Sequence, residues 1–152
     1  MLKYLKKIRE RNGSPHARLI LSLLFLEKNF FFKFVFRFFR VVVVQGIYHV
    51  ELDPRTFDNE SLCSLRLPHP YNIIVHGDSR IGMNCTLFHN VTVGARERRD
   101  KSVGVPVIGN NVFIGTGSAV VGNVVIGDNV NIGALSVVLT DVAFGTVCGV
   151  VK

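Results

Sequence analysis

From Val75 onward an aliphatic residue returns every six positions: Val75, Ile81, Leu87 and Val93, then, after a break, Ile108, Ile114, Val120, Ile126, Ile132 and Val138. Four positions after these stands a small or β-branched residue, as at Ser79, Cys85 and Val91, then Val112, Ser118, Val124, Val130, Ser136 and Val142. Glycine directly follows the aliphatic at Gly82, Gly94, Gly109, Gly115, Gly127 and Gly133. A period of six matches neither the 3.6 of a helix nor the 2 of an ordinary strand, which excludes helices over 75–143. Six residues per flat face and three faces per turn make a triangular coil, with coils stacked about 4.8 Å apart as parallel strands are. Asn110-Asn111, Gly122-Asn123 and Asp128-Asn129 fall at the turns, where these residue types tolerate left-handed backbone. The pattern predicts a mainly β chain, a parallel β-helix of hexapeptide repeats. A β-sandwich of short strands is the competing architecture, but its turns do not recur at a fixed six.

The first 46 residues read differently. Ser14-Pro15 is a helix start, with Ser as N-cap and Pro at the first helical position, and a helix to about Lys28 follows. Asn29 is placed to cap a second helix through Phe30–Val44. On that helix Lys33, Arg37 and Arg40 share one face, while Phe30, Phe31, Phe34 and Phe38 fall largely on another. Composition sharpens the division. The whole chain of 152 residues carries a net charge of +7, yet residues 1–46 hold ten Lys/Arg against Glu10 and Glu27, a net of +8. Eight of the twelve Phe lie there too. We therefore divide the chain into a basic, Phe-rich helical segment, 1–46, and a β-helix domain, 47–152. At 48% hydrophobic and 19% charged residues the chain can build a sizeable core. The basic aromatic helix either packs on the coil and on neighbouring subunits or lies on an anionic membrane surface. Nucleic acid is a poor partner, because the charge is confined to this hydrophobic segment.

Several stretches resemble the hexapeptide-repeat acyltransferases, and within them the serine O-acetyltransferase branch. They are Leu67-Pro68-His69-Pro70-Tyr71-Asn72 leading into Ile73-Ile74-Val75-His76-Gly77, then Phe88-His89-Asn90-Val91-Thr92-Val93-Gly94, Pro106-Val107-Ile108-Gly109 and Ile132-Gly133-Ala134-Leu135-Ser136. The resemblance covers roughly 47–152 and implies a left-handed coil, although simple crossover rules favour the right hand. That branch includes true serine acetyltransferases and shorter relatives that serve surface polysaccharides; the short, basic N-terminal segment looks more like the latter. The resemblance implies acetyl-CoA as donor and His69 as general base. It places an acidic partner in Val50-Glu51-Leu52-Asp53-Pro54, with Glu51 aligning best and Asp53 as the alternative. It places the pantetheine arm in a groove between subunits of a homotrimer, along Gly94, Ala95, Thr116, Gly117 and Ala134. The branch's second histidine, just before Pro-x-Ile-Gly, is replaced by Val105, and 57–64 replaces an expected repeat.

Acetyl transfer from a thioester to a hydroxyl needs a base, an oxyanion donor and a groove for the thioester. Histidine suits the first task. A strict six-residue register would aim His69 into the core; Pro68 and Pro70 are expected to disturb it and turn the ring outward. His89, one coil and two residues further on, is a candidate helper. Arg96, Arg98, Arg99 and Lys101, in the interruption 95–107, suit either CoA phosphates or a solvated loop. Cys63, Cys85 and Cys148 show no metal-like spacing, so no metal is expected. No signal-peptide pattern is evident, and free thiols suit a cytoplasmic setting, with the inner membrane face as a further possibility. The primary functional expectation is O-acetylation of a sugar hydroxyl on a surface polysaccharide or its precursor. The alternatives are L-serine O-acetylation and a non-catalytic β-helix scaffold.

Overall fold

The computed structural model of the chain describes residues 1–29, 31, 33–97 and 103–149, with only the backbone at Lys33. Short strands stack into three parallel faces. The first face stacks Ile74–Val75, Thr92–Gly94, Ala119–Val121 and Val137–Val138. The second stacks Arg80–Ile81, Val107–Ile108 and Val125–Ile126. The third stacks Thr86–Leu87, Phe113–Ile114, Asn131–Ile132 and Val147–Cys148. Isolated bridges extend the coil backward, Glu51 to Ile74 and Arg66 to Thr86. All ten repeat aliphatics are buried, and so are Ser79, Cys85, Val91, Val112, Ser118, Val124, Val130, Ser136 and Val142 beside them. The turns use the expected residues: Asn111 and Asn129 have φ of 56° and 58°, and Gly122 has φ of 98°. The side-chain amide of Asn111 donates to Asn129 one coil away, at 3.1 Å.

The interruption after Gly94 is an antiparallel hairpin, Arg96–Glu97 against Val103–Gly104. Arg98, Arg99 and Lys101 lie outside the described residues.

The N-terminal segment holds helices α1 (Leu2–Arg11), α2 (Pro15–Asn29) and α3 (Lys33–Phe39), the last running into π-helical turns at Arg40–Gln45. The second of these matches the expected helix, and the Ser14 hydroxyl accepts from Ala17 N at 3.5 Å. Helix α1 was not foreseen. The expected cap at Asn29 is corrected: Asn29 closes α2, donating back to the Phe25 carbonyl and bonding with Asn59, and Phe30 lies outside the described residues. Arg40 is corrected as well. Placed on one face with Lys33 and Arg37, it is buried and paired with Glu27 at 2.6 Å, so it does not face an anionic surface. The stretch 57–64 forms helix α4 (Asn59–Ser64), whose N-cap Asp58 accepts from Ser61 N at 2.6 Å. That backbone hydrogen bond holds the Asp58 carboxyl below its ordinary pKa.

The two compositional zones share one hydrophobic core, running from Ile8 and Leu24 through Leu62 and Leu67 to Val142. Asn12, buried at the end of α1, fastens them. Its side-chain amide donates to the Ile8 and Leu65 carbonyls, and its carbonyl oxygen accepts from Leu67 N at 3.0 Å.

Candidate functional site

The candidate site is the corner between the third face and the first. Residues 68–72 span this corner where residues 88–90 span it one coil later, because Arg66 pairs with Thr86 and Ile74 with Thr92. The longer corner carries the two prolines. Pro70 and Ile73 are buried, and His69 is exposed. The ring therefore leaves the core as expected, with Pro70 turned inward at the bend.

The His69 ring stands edge-on to His89, with centroids 5.8 Å apart and an interplanar angle of 77°. The Phe88 ring lies 6.1 Å from His69, and Phe113 lies 5.3 Å from Phe88. His89 is half-buried, and its Nδ1 is buried with no hydrogen-bond partner among the described residues. Its carbonyl accepts from the Thr116 hydroxyl at 3.0 Å and from Gly117 N at 3.1 Å. The Thr116 carbonyl accepts in turn from Leu135 N at 2.8 Å. Thr116, Gly117 and Ala134 thus stand on the same corner as the two imidazoles, in the two coils above. Gly117 has φ of 70°, in the left-handed region. Gly115 lies close to the next coil: a Cβ there would sit 2.6 Å from Ala134 N.

The structure does not bring Gly94 and Ala95 to this corner. They follow the first face rather than the third, and Gly94 O accepts from Gly122 N at 3.0 Å at the next corner round the triangle. Within one chain the expected donor-binding residues therefore divide between two edges.

Glu51 is exposed, on the first face below Ile74, and its side chain makes no hydrogen bond or ion pair among the described residues. It borders an open cleft of about 340 Å³ with Asp53, Arg55, His76 and Asp78. Asp53, the alternative acidic partner, is already engaged: Arg55 Nη2 lies 2.8 Å from its Oδ2. Burial pushes the Asp53 carboxyl up, but the hydrogen bonds and charge of Arg55 outweigh it and hold the group below its ordinary value. No group of three or more metal-ligand side chains occurs among the described residues.

One feature of this corner escaped the sequence reading. The rings of Tyr48 and Tyr71 pack at 5.6 Å, and His16 of α2 joins them, sharing a 2.6 Å hydrogen bond with the Tyr48 hydroxyl. Asn72 and Asn90, a residue type that tolerates left-handed backbone, follow Tyr71 and His89 in the sequence, and both hold positive φ.

Repeat and strand stacking together define a left-handed parallel β-helix built on six-residue repeats. Residues 106–140 match the family described as bacterial transferase hexapeptide (six repeats). The chain's structural likeness is to the serine acetyltransferases. The Neisseria gonorrhoeae enzyme in complex with serine matches with a TM-score of 0.70 and 25% identity, over 94% of this chain and 62% of that one. Serine acetyltransferase isoform 3 of Entamoeba histolytica, in complex with cysteine, matches with a TM-score of 0.70 and 20% identity, over 99% of this chain and 57% of that one. The soybean apoenzyme matches with a TM-score of 0.67 and 23% identity, over 95% of this chain and 62% of that one. This chain thus spans about three fifths of the length of these relatives. No curated protein matches the sequence.

Proposed function

We propose that the chain transfers an acetyl group from acetyl-CoA to a hydroxyl, with His69 as general base. The observation that carries this reading is the exposed His69 ring, edge-on to His89, below the small residues Thr116, Gly117 and Ala134 on one corner. Imidazole takes the hydroxyl proton as the acceptor oxygen attacks the thioester carbonyl. The tetrahedral adduct then collapses, the carbon–sulfur bond breaks, and the imidazolium returns its proton to the departing CoA thiolate. His89 is placed to steady the oxyanion or the base, and Glu51 is the carboxylate nearest in role to an imidazole orienter.

A groove between copies accounts for the divided donor residues. Thr116, Gly117 and Ala134 would line it from one copy, and Gly94 and Ala95 from the next edge of a second. A homotrimer with three such sites follows, and sedimentation as a monomer would refute it.

The relatives with serine or cysteine bound favour L-serine as acceptor over the sugar hydroxyl expected from sequence. The sugar reading stands second, favoured by Val105 where the branch has its second histidine. Acetyl-CoA turnover suits a cytoplasmic setting, as do three free thiols. No helix among the described residues is long and apolar enough to cross a membrane. Exposed Phe34, Val35, Phe38 and Val42 around Arg37 support peripheral contact with an anionic surface. Vesicles of anionic phospholipid should co-sediment the intact chain, and Phe34→Ser with Phe38→Ser should release it.

Thiol release from acetyl-CoA, followed with L-serine and with methyl glycosides as acceptors, tests the reaction. His69→Ala should lower kcat about 10²–10⁴-fold and leave the thermal midpoint unmoved. An intact chain that releases no CoA with any acceptor would instead support the scaffold reading.

A further inference from the structure

A cavity of about 650 Å³ opens where the helical segment meets the first turn of the coil. Glu27 and Lys28 of α2 line it, with Arg37 of α3, Arg40 of the π-helical turns, and Asp53 and Arg55 of the coil. None of the residues proposed for acetyl transfer is in its wall. The Asp53–Arg55 pair lies against Gly77, at the corner after the first face: a Cβ on Gly77 would sit 3.1 Å from Arg55 Nη2. His69 stands at the corner before that face.

The wall carries four cations against two carboxylates, and both carboxylates are already matched. Glu27 takes the Nε and Nη2 side of buried Arg40, at 2.6 and 3.4 Å. Asp53 takes the Nε and Nη2 side of Arg55, at 3.1 and 2.8 Å. A guanidinium has five N–H donors in a fixed fork, so the Nη1 edge of Arg55 stays unspent, on a side chain 74% exposed. Lys28 gives two of its three N–H donors to the Pro54 and Phe57 carbonyls. Asp58 lies within its electrostatic reach but outside the cavity wall. Arg37 is exposed, and its guanidinium has no hydrogen bond or ion pair among the described residues. An excess of two positive charges, with unspent donors from α2, α3 and the coil, therefore faces one concavity. Phe34 adds an apolar wall beside them.

We propose that this cavity binds a phosphate monoester, held by Arg37, Arg55 and Lys28. Such a group carries about −1.5 to −2 charge at pH 7 and three strong acceptor oxygens, which matches the surplus in the wall. Guanidinium groups meet phosphate oxygens through paired N–H donors, and a lysine adds a point charge. A lone carboxylate brings a single charge and leaves one of these cations uncompensated. The ester's organic part lies along Phe34. Two sources offer this chemistry, a soluble phosphate ester and a lipid headgroup seated beneath the exposed rings of α3. The assignment is independent of acetyl transfer.

Isothermal titration calorimetry on the intact chain at fixed ionic strength tests the soluble source, with glycerol 3-phosphate and inorganic phosphate as probes and acetate as the comparison. Both phosphates should bind saturably and acetate should not. Arg37→Gln and Arg55→Gln should each weaken binding about tenfold to hundredfold, the size of a charge-assisted hydrogen bond. Lys6→Gln removes the same charge from a side chain 76% exposed on α1 and should change it less than about twofold. Circular-dichroism melts confirm that each variant is folded. Co-sedimentation with phosphatidylcholine vesicles carrying phosphatidic acid tests the lipid source. Binding that glycerol 3-phosphate displaces and Arg37→Gln abolishes assigns the cavity to the headgroup, whereas calorimetric binding with no such displacement assigns it to a soluble ester. The proposal is overturned by an absence of Arg37-dependent binding in both arms. It is overturned equally if acetate binds as the phosphates do, or if Lys6→Gln weakens binding as much as Arg37→Gln.

Discussion

At the scale of single residues, position rather than residue type decides which groups are free to act. Glu51 and Asp53 are both carboxylates one coil below the candidate corner, yet Arg55 holds Asp53 and nothing described holds Glu51. Glu51→Gln should therefore lower kcat with little change in KM for acetyl-CoA, and Asp53→Asn should leave kcat near the wild-type value; steady-state kinetics of the two variants checks the ordering. The cysteines divide by the same logic. Burial pushes the Cys63 and Cys85 thiols up to about 11, while Cys148 is only half-buried. At pH 8 the thiolates of the first two are scarce and sealed in the core. A maleimide should label Cys148 alone in the folded protein and all three thiols in denaturant, as mass spectrometry would count. Residue-level reading of the sequence reached His69 correctly as an outward ring, because two flanking prolines cannot both keep a strict strand register. It could not separate Glu51 from Asp53, since the deciding Arg55 lies on a short turn with no periodic signature.

At the scale of elements, the hexapeptide period made nearly the whole coil legible. Each aliphatic position it names is buried, because a six-residue face leaves one inward slot of fixed size per strand. Gly82, Gly109, Gly115 and Gly127 have a second cause that periodicity does not state, namely the nearness of the next coil. At Gly115 an added methyl would meet Ala134 N at 2.6 Å, whereas at Gly13 it would meet nothing within 4 Å. Gly115→Ala should cost about 1–3 kcal/mol, as overpacking does, and Gly13→Ala should be near neutral; chemical denaturation of both resolves the contrast. Leu135 marks the opposite case. It is 72% exposed and holds φ of 58°, a conformation that costs a leucine about 1–3 kcal/mol. Asparagine tolerates that backbone, so Leu135→Asn should raise the melting temperature. The helices were harder to read. α1 and α4 are short, and Lys7 of one reaches Glu60 of the other at 2.8 Å, a partner that neither shows in its own sequence.

At the scale of the whole molecule, the charge step near residue 46 marks a change of architecture without a break in the core. Helices and coil bury their apolar residues together, and the joints are polar groups with no choice of partner. Asn12 satisfies three backbone groups at once across that seam, and within the helical segment Arg40 is closed off against Glu27 with side-chain exposures of 9% and 12%. Removing one partner of a buried pair strands the other charge, which costs about 3–5 kcal/mol. Glu27→Ala should therefore be far more destabilising than loss of the exposed Lys6–Glu10 pair, whose partners are 76% and 63% exposed. The decisive feature is where the loss shows. If the helices were an appendage, Glu27→Ala would melt α2 and α3 early and leave the coil's transition in place. With one shared core, circular dichroism at helix and strand wavelengths should give a single, coincident transition, shifted to lower temperature as a whole. Two separated transitions would show that the helical segment and the coil fold independently.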